Sequence, residues 1–300
     1  MSFSANVKSE LCRVEVTRGC CARAELLGVL LYANTFSRDG IRIVTESRDF
    51  GARLPRLLYH GAGLRFDSLP DEQPGKRSYI VSDPGKIREI FSNCGFSAES
   101  SVSLHVNLAL LERECCQKAF LRGAFLAGGS VTDPEKRYHL ELSTTHRMAS
   151  RETGTLLEEL RLPAKLTERK GSSVLYFKQS DAIEDFLTAI GAPVSAMTVM
   201  QAKIEKDWRN DANRKTNCDS ANVDKTVSAA QEQLAALRRL EQAGCLESLP
   251  EKLRETARLR RVHPEATLSE LAELHQPPLS KSAINHRMRK LLSLASQEEE

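Results

Sequence analysis

The chain has no apolar run approaching the ~20 residues that span a bilayer, and Met1 to Glu10 carries Lys8 and Glu10 where a signal peptide would be apolar. These absences predict a cytosolic protein that does not engage a membrane. An excess of one charge is also lacking: 43 Lys and Arg stand against 40 Asp and Glu, and a net charge of +3 decides nothing about partners. Cysteine never occurs in the Cys-x-x-Cys spacing, and eight cysteines in a cytosolic chain of 300 residues read as reduced thiols, which excludes a disulfide framework. Three hundred residues, 41% hydrophobic and 28% charged, describe a globular protein of roughly two domains, since a single core seldom grows past about 250 residues.

What is present is a repeat. The pattern Cys-Cys-x-x-Ala-x-Leu-x-Gly runs from Cys20 to Gly28 and again from Cys115 to Gly123, 95 residues further on. Behind each copy the same order of elements is predicted. A β-rich run (Ile41 to Thr45; Tyr138 to Ser143) precedes a helix (Phe50 to His60; Met148 to Leu160), then two strands (Leu64 to Leu69 with Tyr79 to Ser82; Ala164 to Glu168 with Val174 to Phe177). A last helix closes each copy, opened by Ser82-Asp83 or Ser180-Asp181 and stopped at Gly95 or Gly191. Neither copy has enough strands to cover its own apolar face, so the two should share a core.

The adjacent pairs Cys20-Cys21 and Cys115-Cys116 could together supply four thiolates to zinc. Vicinal spacing argues instead for small buried thiols at the start of a tightly packed helix pair, so no metal or other cofactor is expected. The zinc content of chelator-free protein separates the readings. Leu27, Gly28, Leu31 and Tyr32 lie on or near one stripe of the first helix, and Leu121, Gly123, Ala124, Leu126, Ala127 and Gly128 make a face of very small groups on the second. Small residues allow two backbones to cross closely.

Leu121 to Ser130, with the sequence Leu-Arg-Gly-Ala-Phe-Leu-Ala-Gly-Gly-Ser, resembles the LAGLIDADG helix of homing endonucleases, and Leu26 to Asn34 is a weaker copy. The resemblance implies two αββαββα-like units joined through these helices, with strands forming a saddle over DNA. In active members an acidic residue near the lower end of each helix binds a divalent metal. Here the aligned positions are Ala33 and Gly128, degenerate metal positions whose side chains cannot ligate, so nuclease chemistry should be absent. Asp133 sits in a Thr-Asp-Pro turn and has no counterpart in the first copy, where Asp39 follows Ser37. It reads as a solvated turn residue. The rival reading is a metal-dependent endonuclease that has relocated its acids to positions such as Asp39 and Asp133.

From about 195 to 245 the composition turns to Ala, Gln, Lys and Glu, which predicts two helices, Met197 to Asp211 and Ala221 to Ala243, around a junction at Asn213 to Asn222. Arg209, Arg214, Lys215, Asn217, Asn222 and Lys225 are candidates for DNA backbone contact there, against the alternative of a solvated, capped junction. Trp208, the sole tryptophan, is expected to anchor this linker on a neighbouring domain.

The final segment is basic. Pro250 to Leu292 holds nine Lys or Arg against five Glu and no Asp. Helices are predicted from Glu251 to Arg261, from Leu268 to His275 behind Thr267, and from Lys281 to Leu294 behind Ser280, with Pro277 and Pro278 forbidding fusion of the last two. Thr267 and Glu270 have capping-box spacing. This is a helix-turn-helix order, the alternative being a basic three-helix bundle with no DNA role. Ile284, Met288 and Leu291 should face the bundle, leaving Lys281, Ser282, Asn285, His286, Arg289 and Lys290 outward; with Thr267, Ser280 and Arg287 these form the candidate DNA-binding set.

Several of these strings are similar to the WhiA family from end to end. They include Ser2-Phe3-Ser4, the duplicated Cys-Cys helix, Gly128-Gly129-Ser130-Val131, Asn217-Cys218-Asp219, and Pro278 to Ser282 with Asn285-His286-Arg287. That resemblance implies a bacterial DNA-binding regulator concerned with sporulation, cell division or chromosome segregation. The predicted fold class is α+β, a duplicated LAGLIDADG-like domain followed by an all-α helix-turn-helix domain. The domains fall at 1–192 (repeats about 1–97 and 98–192), 193–246 as helical linker, 247–295 as helix-turn-helix and 296–300 as acidic tail. Double-stranded DNA is the expected partner, with another regulatory protein on the N-terminal domain as a second one, in the cytoplasm and on the nucleoid. An assembly role with incidental DNA affinity is the third reading.

Overall fold

The computed structural model describes residues 2–70, 75–96 and 103–297. Two compact units are present, Met1–Asp207 and Trp208–Glu300. The fold is α+β in the first and all-α in the second.

The N-terminal unit opens with α1 (Phe3–Cys12), started by the Ser2 hydroxyl, which accepts from the Ala5 N–H. The first repeat then runs α2 (Gly19–Leu31), β1 (Thr35–Ser37), β2 (Gly40–Thr45), α3 (Arg48–Ala62), β3 (Arg77–Val81) and α4 (Pro84–Asn93). The second runs α5 (Glu114–Gly128), β4 (Gly129–Val131), β5 (Leu140–Thr144), α6 (Arg147–Glu159), β6 (Lys165–Arg169), β7 (Ser172–Phe177) and α7 (Ser180–Ile190). Both sheets are antiparallel, ordered β1-β2-β3 and β4-β5-β7-β6.

The expected strand at Leu64 to Leu69 does not form. Ser68 makes only an isolated bridge to Ile80, where the second repeat has a full β6–β7 ladder. The cause is Asp67: its carboxylate accepts from the Ser82 and Asp83 N–H groups at 2.7 and 2.8 Å and pairs with Lys86, pinning the segment as a loop on the start of α4. Asp83 caps α4 as expected, but Ser180 is the first residue of α7 rather than its cap, and Gln179 at the cap position makes no side-chain bond. Gly95 and Gly191 take the left-handed conformation that stops each closing helix. The short strands β1 and β4 escape sequence reading because three residues are too few to set an alternation apart from its surroundings.

α2 and α5 form the spine of one core. From Ala24 through Leu31 every residue of α2 is buried, so it has no outward stripe and is wrapped on all sides. A Cβ on Gly28 would lie 2.1 Å from the Phe120 carbonyl oxygen, and one on Gly123 would lie 2.1 Å from the Glu25 carbonyl oxygen. Each glycine therefore touches the other helix's backbone, a reciprocal contact that follows from the duplication.

Between Pro193 and Gln242 there is one continuous helix, α8, and no junction at 213–222. The correction has a local cause: Asn213, Asn217 and Asn222 lower helix propensity by only tenths of a kcal/mol each, and no Gly or Pro interrupts the run to break it. In the C-terminal unit, Ala236, Leu237 and Leu240 of α8 pack with α9 (Glu251–Val262), α10 (Leu268–Glu273) and α11 (Lys281–Gln297). Of the acidic tail, Glu298 to Glu300 lie outside the described residues.

Candidate nucleic-acid interface

α11 carries the site. Its apolar residues Ile284, Met288, Leu291 and Ala295 recur at helical spacing and are buried against α8, α9 and α10. The opposite face is then set by the same period. Ser282, His286, Arg289 and Lys290 are exposed on it, Asn285 is half-buried at its edge, and Lys281 is exposed at the helix's N-terminal end. α11 contains four basic and no acidic residues, and Lys281, Arg289 and Lys290 form no ion pair among the described residues. α9 differs: Arg254 pairs with Glu251 and Glu247, Arg258 with Glu255 at 2.9 Å, and Arg261 with Glu241 at 2.7 Å. The positive excess of this domain is thus concentrated on α11.

Three members of the predicted set hold the fold. Thr267 and Glu270 complete the capping box of α10. The Ser280 hydroxyl accepts from the Ala283 N–H at 3.2 Å and starts α11. Arg287 is turned back toward α9, donating to the Lys252 carbonyl and the Thr256 hydroxyl, both at 3.3 Å. Thr256 also meets Nε2 of buried His275 at 3.3 Å, and burial, followed by the nearby Arg287 charge, holds that imidazole below its ordinary pKa. Arg287 therefore fixes the angle of α11 instead of extending its outer face.

The α8 candidates Arg209, Arg214, Lys215, Asn217, Asn222 and Lys225 are all exposed on the continuous helix. At about 100° per residue, Arg214, Asn217 and Lys225 share one face, with Asn222 and Lys215 on one side of it and Arg209 on the other. Trp208 is 74% exposed, contrary to its expected anchoring role.

In the N-terminal unit the lower ends of α2 and α5 are filled. Ala33 is buried, the Thr144 hydroxyl donates to the Leu31 carbonyl, and a Cβ on Gly128 would lie 2.4 Å from the Ser143 carbonyl oxygen and 3.1 Å from Tyr32 Cβ. Asp39 is exposed in the turn joining β1 and β2; Asp133 accepts from the Glu135 N–H at 3.0 Å in the turn after β4. On the second sheet Glu168 pairs with Arg147 at the start of α6 at 2.9 Å, and Arg169 pairs with Glu141 at 3.6 Å.

At the upper ends the vicinal-spacing premise needs correction. Pairs on two different helices meet, and the Sγ atoms of Cys20, Cys21, Cys115 and Cys116 all lie within 4.8 Å of one another, the sole cluster of three or more such metal-ligating groups among the described residues. Burial first, then hydrogen bonding to the neighbouring thiols, pushes the Cys21 thiol up to about 11 and Cys116 up to about 12. Cys115 is lowered, chiefly by its hydrogen bond with Cys21. The duplicated position at the head of each helix was the signal that the two pairs would share one end.

A third cluster escaped sequence reading. Glu25, fully buried in α2, pairs with Arg53 of α3 at 2.6 Å and Arg122 of α5 at 2.9 Å. Its trace in the sequence is one acid inside an otherwise apolar helix.

Residues 212–295 match the WhiA C-terminal HTH domain and residues 117–209 the WhiA LAGLIDADG-like domain. The probable cell division protein WhiA of Ruminiclostridium cellulolyticum is 39% identical over 305 residues, covering 98% of this chain and 97% of that one. The protein of the same name from Brevibacillus brevis is 37% identical, covering 98% and 96%. Full-length DUF199/WhiA from T. maritima has a similar crystal structure, with a TM-score of 0.60 and 25% identity over 99% of each chain. With that identity sustained over almost the whole of both sequences, and with the duplicated helices and the helix-turn-helix in their matching places, the chain belongs to the WhiA family.

Proposed function

We propose that this chain is a sequence-specific DNA-binding regulator without nuclease activity, acting in cell division, chromosome segregation or sporulation from a nucleoid-associated, cytoplasmic position. The observation that carries the reading is the surface of α11, where Lys281 at its N-terminal end and Ser282, His286, Arg289 and Lys290 on its outer face stand exposed on a helix started by Ser280 and braced by Arg287. Such a helix enters the major groove, its amide and guanidinium groups reading base edges and its lysines meeting phosphates. On α8, Arg214, Lys215, Asn217, Asn222 and Lys225 supply backbone contacts to double-stranded DNA, whose strength falls with salt. The N-terminal domain adds backbone contact or a surface for another regulatory protein.

Arg289→Ala and Asn285→Ala should each weaken binding to the cognate site by roughly 1–3 kcal/mol and relax base preference at one position. Footprinting on selected chromosomal fragments measures this. Wild-type footprints from both variants would remove α11 as the reading element.

The absence of nuclease activity is supported at Ala33 and Gly128. Neither bears a ligand, and the space an acid would need at Gly128 is held by the Ser143 carbonyl and Tyr32. Asp39 and Asp133 belong to no cluster of three metal-ligating groups among the described residues. Supercoiled plasmid incubated with the purified chain and magnesium should stay uncut. Cutting that copurifies to constant specific activity, and is lost in Asp39→Asn, in Asp133→Asn or in both, would establish the relocated-acid endonuclease.

A further inference from the structure

The end of the helix pair remote from Ala33 and Gly128 has its own chemistry. Cys20 and Cys21 stand in the first turn of α2, and Cys115 and Cys116 in the first turn of α5. Their four Sγ atoms lie within 4.8 Å of one another, with Cys115 and Cys116 at 4.0 Å. A tetrahedral zinc ion bonded at about 2.3 Å to each of four sulfurs holds them about 3.8 Å apart. A contraction of no more than about 1 Å along the longest edge closes the set around one ion. An iron–sulfur cluster needs the same ligands spread around several metal atoms, so the compact quartet suits a single ion better.

We propose that Cys20, Cys21, Cys115 and Cys116 form a tetrahedral thiolate site for one zinc ion, which clasps the N-terminal ends of the twin helices. The ligands ride on rigid elements. Gly28 and Gly123 bring the α2 and α5 backbones into contact, which fixes the separation of the two cysteine pairs before any ion arrives. The surroundings oppose the charge that the site acquires. Four thiolates on a divalent cation carry a net charge of −2, and two helix N-termini, each a positive end of a backbone dipole, meet there. Arg18 hydrogen-bonds Cys115, and Arg23 and Arg113 line a cleft of about 290 Å³ beside Cys20 and Cys116. Cys20, Cys21 and Cys115 are partly exposed, which leaves the ion a route in. As each S–Zn bond forms, any proton on that sulfur is released to solvent, so binding weakens as pH falls.

The site stands apart from the proposed DNA reading. Zinc uptake is measured on the protein alone, so its failure leaves the α11 proposal untouched, and loss of DNA binding in α11 variants leaves zinc untouched.

The full chain, produced reduced and without chelator, is analysed for bound metals, then stripped and titrated with cobalt(II). One zinc per chain, and on cobalt loading the sulfur-to-metal charge-transfer absorption and intense visible bands of tetrahedral thiolate coordination, are the expected results. Zinc removal should lower the melting temperature of the full chain, and Cys20→Ser and Cys116→Ser should each greatly reduce retained zinc. Cys12→Ser and Cys218→Ser should keep it. The cobalt spectrum is read on the wild-type chain, so it decides the matter even if Cys116→Ser fails to fold. Four freely alkylated thiols in a metal-free native chain, two disulfides, or iron with sulfide in place of zinc would each overturn the assignment.

Discussion

Glu25→Ala is expected to destabilise the N-terminal unit by about 3–5 kcal/mol, the range for removing one partner of a buried ion cluster. The size of the effect comes from what remains. Glu25 is fully buried, and its carboxylate accepts from Arg53 at 2.6 and 3.0 Å and from Arg122 Nε at 2.9 Å. Without it, two guanidinium groups stay in the interior with only carbonyl partners: Cys12 and Val14 for Arg53, Ile190 for Arg122. These contacts tie α3 and the ends of α1 and α7 to the helix pair, so the loss should spread through five helices. Urea unfolding followed by circular dichroism measures it. Glu25→Gln keeps the volume and should recover only part of the loss, because a neutral amide cannot offset two cations. A loss below about 1 kcal/mol for Glu25→Ala would mean that water reaches the guanidinium groups and that the cluster contributes little.

Gly123→Ala should be nearly as damaging, at about 3 kcal/mol or more, the upper end of the overpacking range. One methyl group is added, but its carbon would sit 2.1 Å from the Glu25 carbonyl oxygen and 3.0 Å from the Val29 nitrogen. Both are backbone atoms, which cannot rotate aside, so α2 and α5 must separate and the core along the whole crossing must loosen. Gly154→Ala is the control: its added carbon meets only the Leu175 methyl at 3.4 Å, and alanine suits a helix interior better than glycine. Thermal melting of the two variants should therefore diverge. Equal melting temperatures would show that the crossing can widen at no cost.

Much of this architecture is legible before any coordinates. The order of elements behind each Cys-Cys motif recurs in the structure with few changes, because apolar periodicity and the stops at Gly95 and Gly191 are local signals. The same holds for α11. Once Ile284, Met288 and Leu291 are assigned inward, helical period alone puts Ser282, His286, Arg289 and Lys290 outside, and Lys281 is exposed by its place at the helix start. The strand expected at Leu64 to Leu69 was lost to one carboxylate, Asp67, whose partners at Ser82, Asp83 and Lys86 are distant in sequence. Trp208 was read by residue type, which says where tryptophan usually goes and not what lies beside this one.

The sequence by itself determined that a helix-centred unit occurs twice, that Ala33 and Gly128 bear no metal ligand, and that the last helix holds four basic and no acidic residues. These follow from spacing and side-chain chemistry within one segment. Only the tertiary structure decided that Arg287 braces α11, that Glu25 gathers two arginines from other helices, and that four sulfurs from two vicinal pairs converge. Each of these depends on which backbones approach one another. That approach is set by glycines touching the opposite helix, a contact between positions almost a hundred residues apart that no local pattern encodes.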